Sequence, residues 1–162
     1  MVRESRNRPS YPKKMSKELS IRDCLGQEME VQALCDEMSE WVESMDSNGI
    51  TSGSKYDTIS QSAETLETQA SDLDHVVIEL ISHIGERTAD HVIGVNWTEA
   101  RRPRLTRGIR MTRVIAQLHA AHEFIEDHES FGDSDSDIRD LLDELASCIT
   151  ELETVEFPSM MG

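Results

Sequence analysis

The chain contains only three cysteines, four prolines and no long apolar run. Cys24 and Cys35 lie about 16 Å apart along one predicted helix, at ~1.5 Å per residue, which is too far for a disulfide. Cys148 falls within an apolar pattern, where a free cysteine behaves as a small hydrophobic residue. We therefore expect no disulfide framework, as is typical of proteins in a reducing compartment.

Apolar stretches are too short for a membrane protein. No segment approaches the ~18 uninterrupted apolar residues of a membrane-spanning helix. The basic residues near the N-terminus are not followed by the apolar run of a signal peptide. We expect neither membrane insertion nor secretion through a signal peptide.

Motifs of the common catalytic classes are missing as well. The sequence has no glycine-rich phosphate-binding loop, no cysteine pair at metal-ligand spacing and no nucleophile motif. We expect no catalytic residues and no cofactor. The informative features are instead the charge distribution and the apolar pattern.

Positive charge is scarce outside two segments of this acidic chain, whose net charge is −16. Residues 1–17 carry six basic side chains and one acidic side chain, a net of +5, so the other 145 residues carry −21. A second basic segment holds Arg101, Arg102, Arg104, Arg107, Arg110 and Arg113. A body this acidic repels nucleic acid and anionic membranes unless a local basic patch dominates the contact.

Apolar residues at helical spacing are abundant. Steps of three and four residues alternate without a gap from Tyr56 to Ile84, which keeps one stripe of a helix against a partner helix. Similar patterns begin at Val31, Met111 and Ile138. They predict helices over about residues 20–46, 54–85, 103–130 and 136–156. The residues expected to be buried are Leu66, Leu73, Leu80, Leu141, Leu145 and Leu152, whereas Glu37, Glu64 and Glu144 are expected to be exposed.

Four helices with mostly short connections predict an all-α fold, an antiparallel up-and-down bundle that forms one domain over residues 18–158. Residues 1–17, which show no periodicity, are expected to form a flexible basic arm. Residues 86–102 are compatible with a short extended segment or an ordered loop, anchored by Trp97. The apolar stripes of the second and fourth helices are long enough to contact a partner helix, so self-association is an open alternative.

The second basic segment is unfavourable at the start of a helix, because the helix dipole repels cations there. In an up-and-down bundle it would lie beside the carboxyl ends of the second and fourth helices. We expect neutralisation there by Glu79, Glu86, Glu151, Glu153 and Glu156. The alternative is an exposed patch that binds an anion or a partner protein.

A calcium loop is the first alternative site. Asp133, Asp135, Asp137 and Glu144 occupy positions 1, 3, 5 and 12 of such a loop, where their carboxylates would converge on one ion. However, Ile138 stands at the position that requires glycine for the sharp turn. An acidic helix-capping turn is therefore the preferred interpretation, without a metal.

Histidines are the second alternative. His119 and His122 lie one helical turn apart, and His75 and His83 share a stripe of the second helix. Metal sites in bundles use Glu-x-x-His pairs on facing helices, and this chain contains no Glu-x-x-His. Histidines of the core or the surface are the preferred interpretation.

Residues 33–67 resemble a known group. An acidic helix ends with Trp41 and the pair Ser44-Met45, a short glycine turn follows, and Lys55-Tyr56 opens a helix rich in alanine, leucine and glutamate. This segment is similar to one found in small acidic helical proteins of tailed bacteriophages and related viruses. The resemblance implies a viral source, in the host cytoplasm or the virion, and a helical hairpin, and it brings no activity.

Three hypotheses of function follow. The preferred one is a non-enzymatic helical protein, structural or accessory, that binds a protein of the virion or host or a second copy of itself. The second is an acidic mimic of nucleic acid that inhibits a host enzyme. The third is an all-α nucleotide pyrophosphohydrolase whose acidic pairs hold Mg²⁺ against phosphates. The carboxylates that would do so are Glu123, Glu126, Asp140 and Asp143.

Overall fold

The computed structural model describes residues 12–99, 106–128 and 136–158. The helices are α1 (Ile21–Leu25), α2 (Glu28–Ser47), α3 (Ser54–Ala89), α4 (Arg107–Asp127) and α5 (Ser136–Glu153). The strands are β1 (Lys13–Ser20) and β2 (Val92–Glu99). The protein is therefore mostly helical, as the apolar patterns predict, but the prediction of an all-α fold is wrong because the two strands form an antiparallel sheet.

The first predicted helix is in fact two helices. Ser20 caps α1, since its Oγ accepts a hydrogen bond from the backbone N–H of Asp23 at 3.1 Å. The break falls at Gly26 and Gln27. The Gln27 side chain donates to the Asp23 carbonyl at 3.0 Å, which takes the acceptor that a continuing helix would offer to the Gln27 backbone.

The turn between α2 and α3 depends on two glycines. Gly49 and Gly53 have φ values of 78° and 110°, which side chains with a Cβ rarely adopt. The Tyr56 hydroxyl donates to Asp46 Oδ1 at 2.9 Å across this turn. Residues 33–67 therefore form a helical hairpin.

The second predicted helix continues beyond its expected end. Gly85 has non-helical angles, φ 84° and ψ 163°, and interrupts α3 where the apolar stripe stops. One further turn of helix then leads to Ala89 and β2. The third helix begins at Arg107 instead of 103, because Thr106 Oγ1 caps it by accepting from the Ile109 N–H at 3.4 Å. Pro103 lies outside the described residues.

The core lies where α2 packs on α3, α3 on α5, and α5 on α4, while α4 also contacts α1 and β2. Five of the six leucines expected to be buried are fully or almost fully buried. The exception is Leu141, which is half-buried while Leu142 takes the inward position at 4% exposure. Glu64 and Glu144 are exposed as expected, whereas Glu37 is half-buried.

The strands pair in a single register, from Lys13 opposite Glu99 to Ser20 opposite Val92. The expectation of a flexible arm over residues 1–17 is thus wrong for its last five residues, which belong to β1. Met15 and Leu19 are half-buried on one face of the sheet, opposite Trp97 and Ile93. No local pattern indicates this pairing, because the partner strand lies about 80 residues away.

We expect Leu73→Ala to lower the free energy of unfolding by about 2 to 5 kcal/mol, because it leaves a cavity at a site that is 0% exposed. Urea denaturation at neutral pH measures this loss. Ile78→Ala on the same helix is the matched control, since Ile78 is 59% exposed and its truncation should change stability by less than about 0.5 kcal/mol. Equal losses in the two variants would contradict this packing of α3.

Candidate interaction surfaces

Three arginines of the second basic segment lie on one stripe of α4 and are paired inside the molecule. Arg110 Nε donates to Glu30 Oε1 at 2.7 Å, and its Nη1 donates to Glu37 Oε2 at 2.5 Å. Arg107 Nε donates to Glu37 Oε1 at 3.2 Å. The expected neutralisation within the chain thus occurs for these three arginines, but the expected partners are wrong. The carboxylates come from the side of α2 and, for Arg113, from β2, instead of from the carboxyl ends of other helices. Arg101, Arg102 and Arg104 lie outside the described residues.

Trp41 adds an aromatic contact to this charged cluster. The guanidinium carbon of Arg107 and the ammonium nitrogen of Lys55 each lie 5.3 Å from the centre of a Trp41 ring. Cations at this distance are attracted to the negative face of an aromatic ring. Side chains of α2, α3 and α4 therefore meet at Trp41, which leaves Arg107 less available to an external anion.

The third arginine of the stripe, Arg113, pairs with a buried carboxylate on β2. Glu99 is 1% exposed, and its Oε2 accepts from Arg113 Nε at 2.8 Å and from Trp97 Nε1 at 2.9 Å. These hydrogen bonds hold the pKa of Glu99 below its usual range, and that from Arg113 has the larger effect. Burial acts in the opposite direction and is outweighed. Sequence reasoning missed Glu99. The available signal was an acidic residue continuing the alternation of Val95 and Trp97.

A polar cavity of about 360 Å³ lies beside these ion pairs, between α4 and the start of α2. Gln27, which is 7% exposed, donates through Nε2 to Gln117 Oε1 at 2.9 Å. Gln117 Nε2 in turn donates to the Arg113 carbonyl at 3.1 Å. The two amides and the paired Arg110 and Arg113 offer no uncompensated charge to a ligand.

The alternative of a calcium loop is incompatible with α5, because this helix contains two of the four candidate ligands. Ser136–Glu153 is continuous helix, so Asp137 and Glu144 are separated by about 10 Å of helix rise instead of facing one ion across a loop. Asp133 and Asp135 lie outside the described residues. Across the described ranges, no three His, Cys, Asp or Glu side chains converge in a way that could hold a metal ion.

Two of the histidines make contacts that join elements of the fold. His122 Nε2 lies 3.1 Å from the Leu142 carbonyl and thereby links α4 to α5. His91 stacks on Phe124 with ring centres 4.8 Å apart, which joins the segment before β2 to α4. His75 and His119 are exposed.

The cysteines are unsuited to nucleophilic chemistry. All three are buried, and burial raises the pKa of Cys24 and of Cys148 to about 11. The pKa of Cys35 is also raised, chiefly by burial. The nucleophile in thiol chemistry is the thiolate, and these thiols stay protonated at neutral pH.

An open groove runs between β2 and the outer stripe of α4. It has a volume of about 470 Å³ and is lined by Gly94, Asn96 and Trp97 from β2. The helix contributes Thr112, Ile115, Ala116, His119, Ala120 and Glu123. The sequence predicted no site here, because the groove exists only once β2 is paired and placed against α4.

Within the described ranges, no helix has both the length and the apolar character needed to cross a membrane.

We expect Glu99→Gln to destabilise the protein most near neutral pH. Folding lowers the pKa of Glu99, so the stability that its carboxylate contributes is fully present above the ordinary value of about 4.3 and is lost as the pH falls through the lowered value. Urea denaturation at about pH 7, 5, 4 and 3 measures the difference from the unchanged protein. That difference should shrink below about pH 4. Exposed Glu64→Gln is the control, and a pH-independent effect of Glu99→Gln would contradict the assignment.

We also expect no tight binding of DNA or RNA in a gel shift at ~50 mM salt, where an accessible arginine cluster would be most effective.

Arg110→Ala should instead lower the free energy of unfolding by about 1 to 3 kcal/mol, because Glu30 and Glu37 lose a charged hydrogen-bond partner. The control is Arg22→Ala, whose pair with Asp90 is exposed and should contribute less than about 1 kcal/mol. Strong, salt-sensitive binding that Arg110→Ala abolishes would show that the cluster is an external site.

No protein-family model, curated protein or solved structure matches this chain significantly.

Proposed function

We propose that this chain is a non-enzymatic accessory or structural protein of a virus, and that it acts in the host cytoplasm or the virion by binding another protein. The observation that carries the proposal is the groove between β2 and α4, an open strand edge next to partly apolar helix surface. Such a combination is a frequent recognition surface for protein segments. The viral part rests on the resemblance of residues 33–67 alone.

The charge distribution supports a protein partner over a nucleic acid. Arg107, Arg110 and Arg113 already have carboxylate partners within the chain, so an approaching phosphate would have to displace them. The body that surrounds them is strongly acidic and repels phosphates at longer range. An acidic mimic of nucleic acid also fits this charge, but the groove gives it no support.

The pyrophosphohydrolase hypothesis finds less support in the site geometry. Glu123 and Glu126 on α4 and Asp140 and Asp143 on α5 are all exposed. A magnesium site for phosphate chemistry needs carboxylates that converge on one ion. In the part of the chain that the structure describes, no such convergence of three ligands occurs.

A photoreactive amino acid introduced at Ala116, in the groove, tests the proposal in cells that normally produce the protein. We expect a cross-linked product of defined mass, because a partner seated in the groove lies within reach of this position. Mass spectrometry then identifies the partner, and a product of twice the chain's mass would identify a second copy. The same amino acid at Glu64, on the exposed face of α3, is the matched control.

The proposal fails if both positions give the same indistinct products. It also fails if the purified protein hydrolyses nucleoside triphosphates with Mg²⁺ and Glu123→Gln removes that activity.

A further inference from the structure

The outer edge of β2, which borders α4, carries main-chain groups that face the groove. The sheet consists of two strands in the order β1-β2, so within the described residues β2 pairs with another strand on one side only. An unpaired edge is a template on which a further strand can form. The question is which residues of β2 direct their N–H and C=O groups to that edge.

The hydrogen bonds at the start of the sheet identify them. The Ile21 N–H donates to the His91 carbonyl at 2.9 Å, which makes Ile21 and His91 a hydrogen-bonded pair next to the pair Ser20 and Val92. Hydrogen-bonded and non-hydrogen-bonded pairs alternate along an antiparallel ladder. The odd-numbered residues of β2 therefore bond to β1, and its even-numbered residues point outward. Two of these, Gly94 and Asn96, line the groove.

The groove has room for a main chain beside these groups. The groove has a volume of about 470 Å³, and Gly94 contributes no side chain that could cover the strand edge. On the helix, Ala116 and Ala120 are small and half-buried, and Ile115 adds an apolar surface. A strand laid along β2 would bond to Gly94 and Asn96 and direct every second side chain toward α4.

The length of the groove fits a short extended segment. From Thr112 to Glu123 the helix rises about 16 Å at 1.5 Å per residue. An extended chain of about five residues covers the same distance at ~3.3 Å per residue. This length is typical of a β-strand.

Charge indicates the chemistry of the occupant. Glu123 lines one end of the groove, and exposed Glu126 and Asp127 continue the acidic surface beyond it. Neither lysine nor arginine is among the described residues that line the groove. An incoming segment that carries lysine or arginine would therefore be attracted, whereas an acidic segment would be repelled.

We infer that the groove binds an extended, basic segment of a partner protein, which adds as a third strand to the outer edge of β2 alongside α4. This inference rests on the proposed function and specifies the partner's chemistry. The main-chain bonds to Gly94 and Asn96 supply affinity, and the acidic end of the groove selects basic side chains.

Fluorescence anisotropy with three labelled peptides of about eight residues tests the inference on the full chain. The first alternates lysine and valine, the second alternates glutamate and valine, and the third is the lysine peptide with every second amide N-methylated. We expect saturable binding of the first and at least about tenfold weaker binding of the other two, because one loses charge attraction and the other loses main-chain hydrogen bonds. Equal binding of the methylated peptide, or no binding of any peptide, would overturn the inference.

Two matched variants locate the binding edge. Asn96→Pro removes an outward N–H from β2, and Ser16→Pro removes one from the opposite edge, at the partner position of the same pair. Neither residue bonds across the ladder, so both variants should keep the sheet, which circular dichroism and thermal melting verify. We expect Asn96→Pro to weaken binding of the lysine peptide at least about tenfold, and Ser16→Pro to change its affinity less than about twofold. Equal losses would overturn the assignment to β2.

A second pair covers the case in which Asn96→Pro does not fold. Ala116→Arg fills the groove and adds a positive charge, and Ser71→Arg adds the same charge on the exposed face of α3. Only the groove variant should lose affinity for the lysine peptide. Equal affinities of the two variants would contradict binding in the groove. If the peptides fail while cross-linking from Ala116 still captures a defined partner, strand addition is wrong and the proposed function stands. If cross-linking fails as well, both are wrong.

Discussion

In a chain with a net charge of −16, basic side chains that pair with carboxylates offset the repulsion within the fold. The arginine stripe of α4 does this between α2 and β2, where Arg110 contacts two carboxylates and Arg113 contacts the nearly buried Glu99. Together with the buried apolar residues of α4, these contacts set the rotation of the helix about its axis. With that rotation, the apolar residues of α4 face the core and the stripe containing Ala116 and Ala120 faces outward beside β2. The groove therefore lies beside the arginine stripe, along the same strand that Arg113 contacts.

The long helices could be predicted because their information is local. In α3 seven of the eleven buried residues lie on the apolar spacing. The residues that shape the turn before this helix, Gly49 and Gly53, are recognisable as turn residues. Errors arose where a neighbour distant in sequence decided the outcome. The segment containing Lys13 and Lys17 is basic and aperiodic, yet pairing with β2 makes it a strand. Leu141 and Leu142 could not be ranked from spacing alone, because the packing of α4 and α3 on α5 decides which one points inward.

The same distinction explains what was foreseen of the candidate sites. Neutralisation of the arginines within the chain can be predicted from composition. The identity of the carboxylates cannot, because it depends on which sides of α2 and α4 face each other. The calcium alternative depended on a loop conformation that the helix at Ser136 excludes. The groove is formed by a strand edge and a helix surface from different segments of the chain, so no local sequence motif predicts it.

The separation of β1 from β2 along the chain also has a consequence for biosynthesis. Because synthesis proceeds from the N-terminus, β1 leaves the ribosome long before β2 exists, and closing so long a loop has a substantial entropic cost. The hairpin of α2 and α3 needs only local contacts and is complete earlier. The strand ribbon is thus expected to assemble after this hairpin, and the groove is complete only once α4 packs beside β2. Any protein that recognises the groove would therefore meet a chain whose synthesis has passed α4.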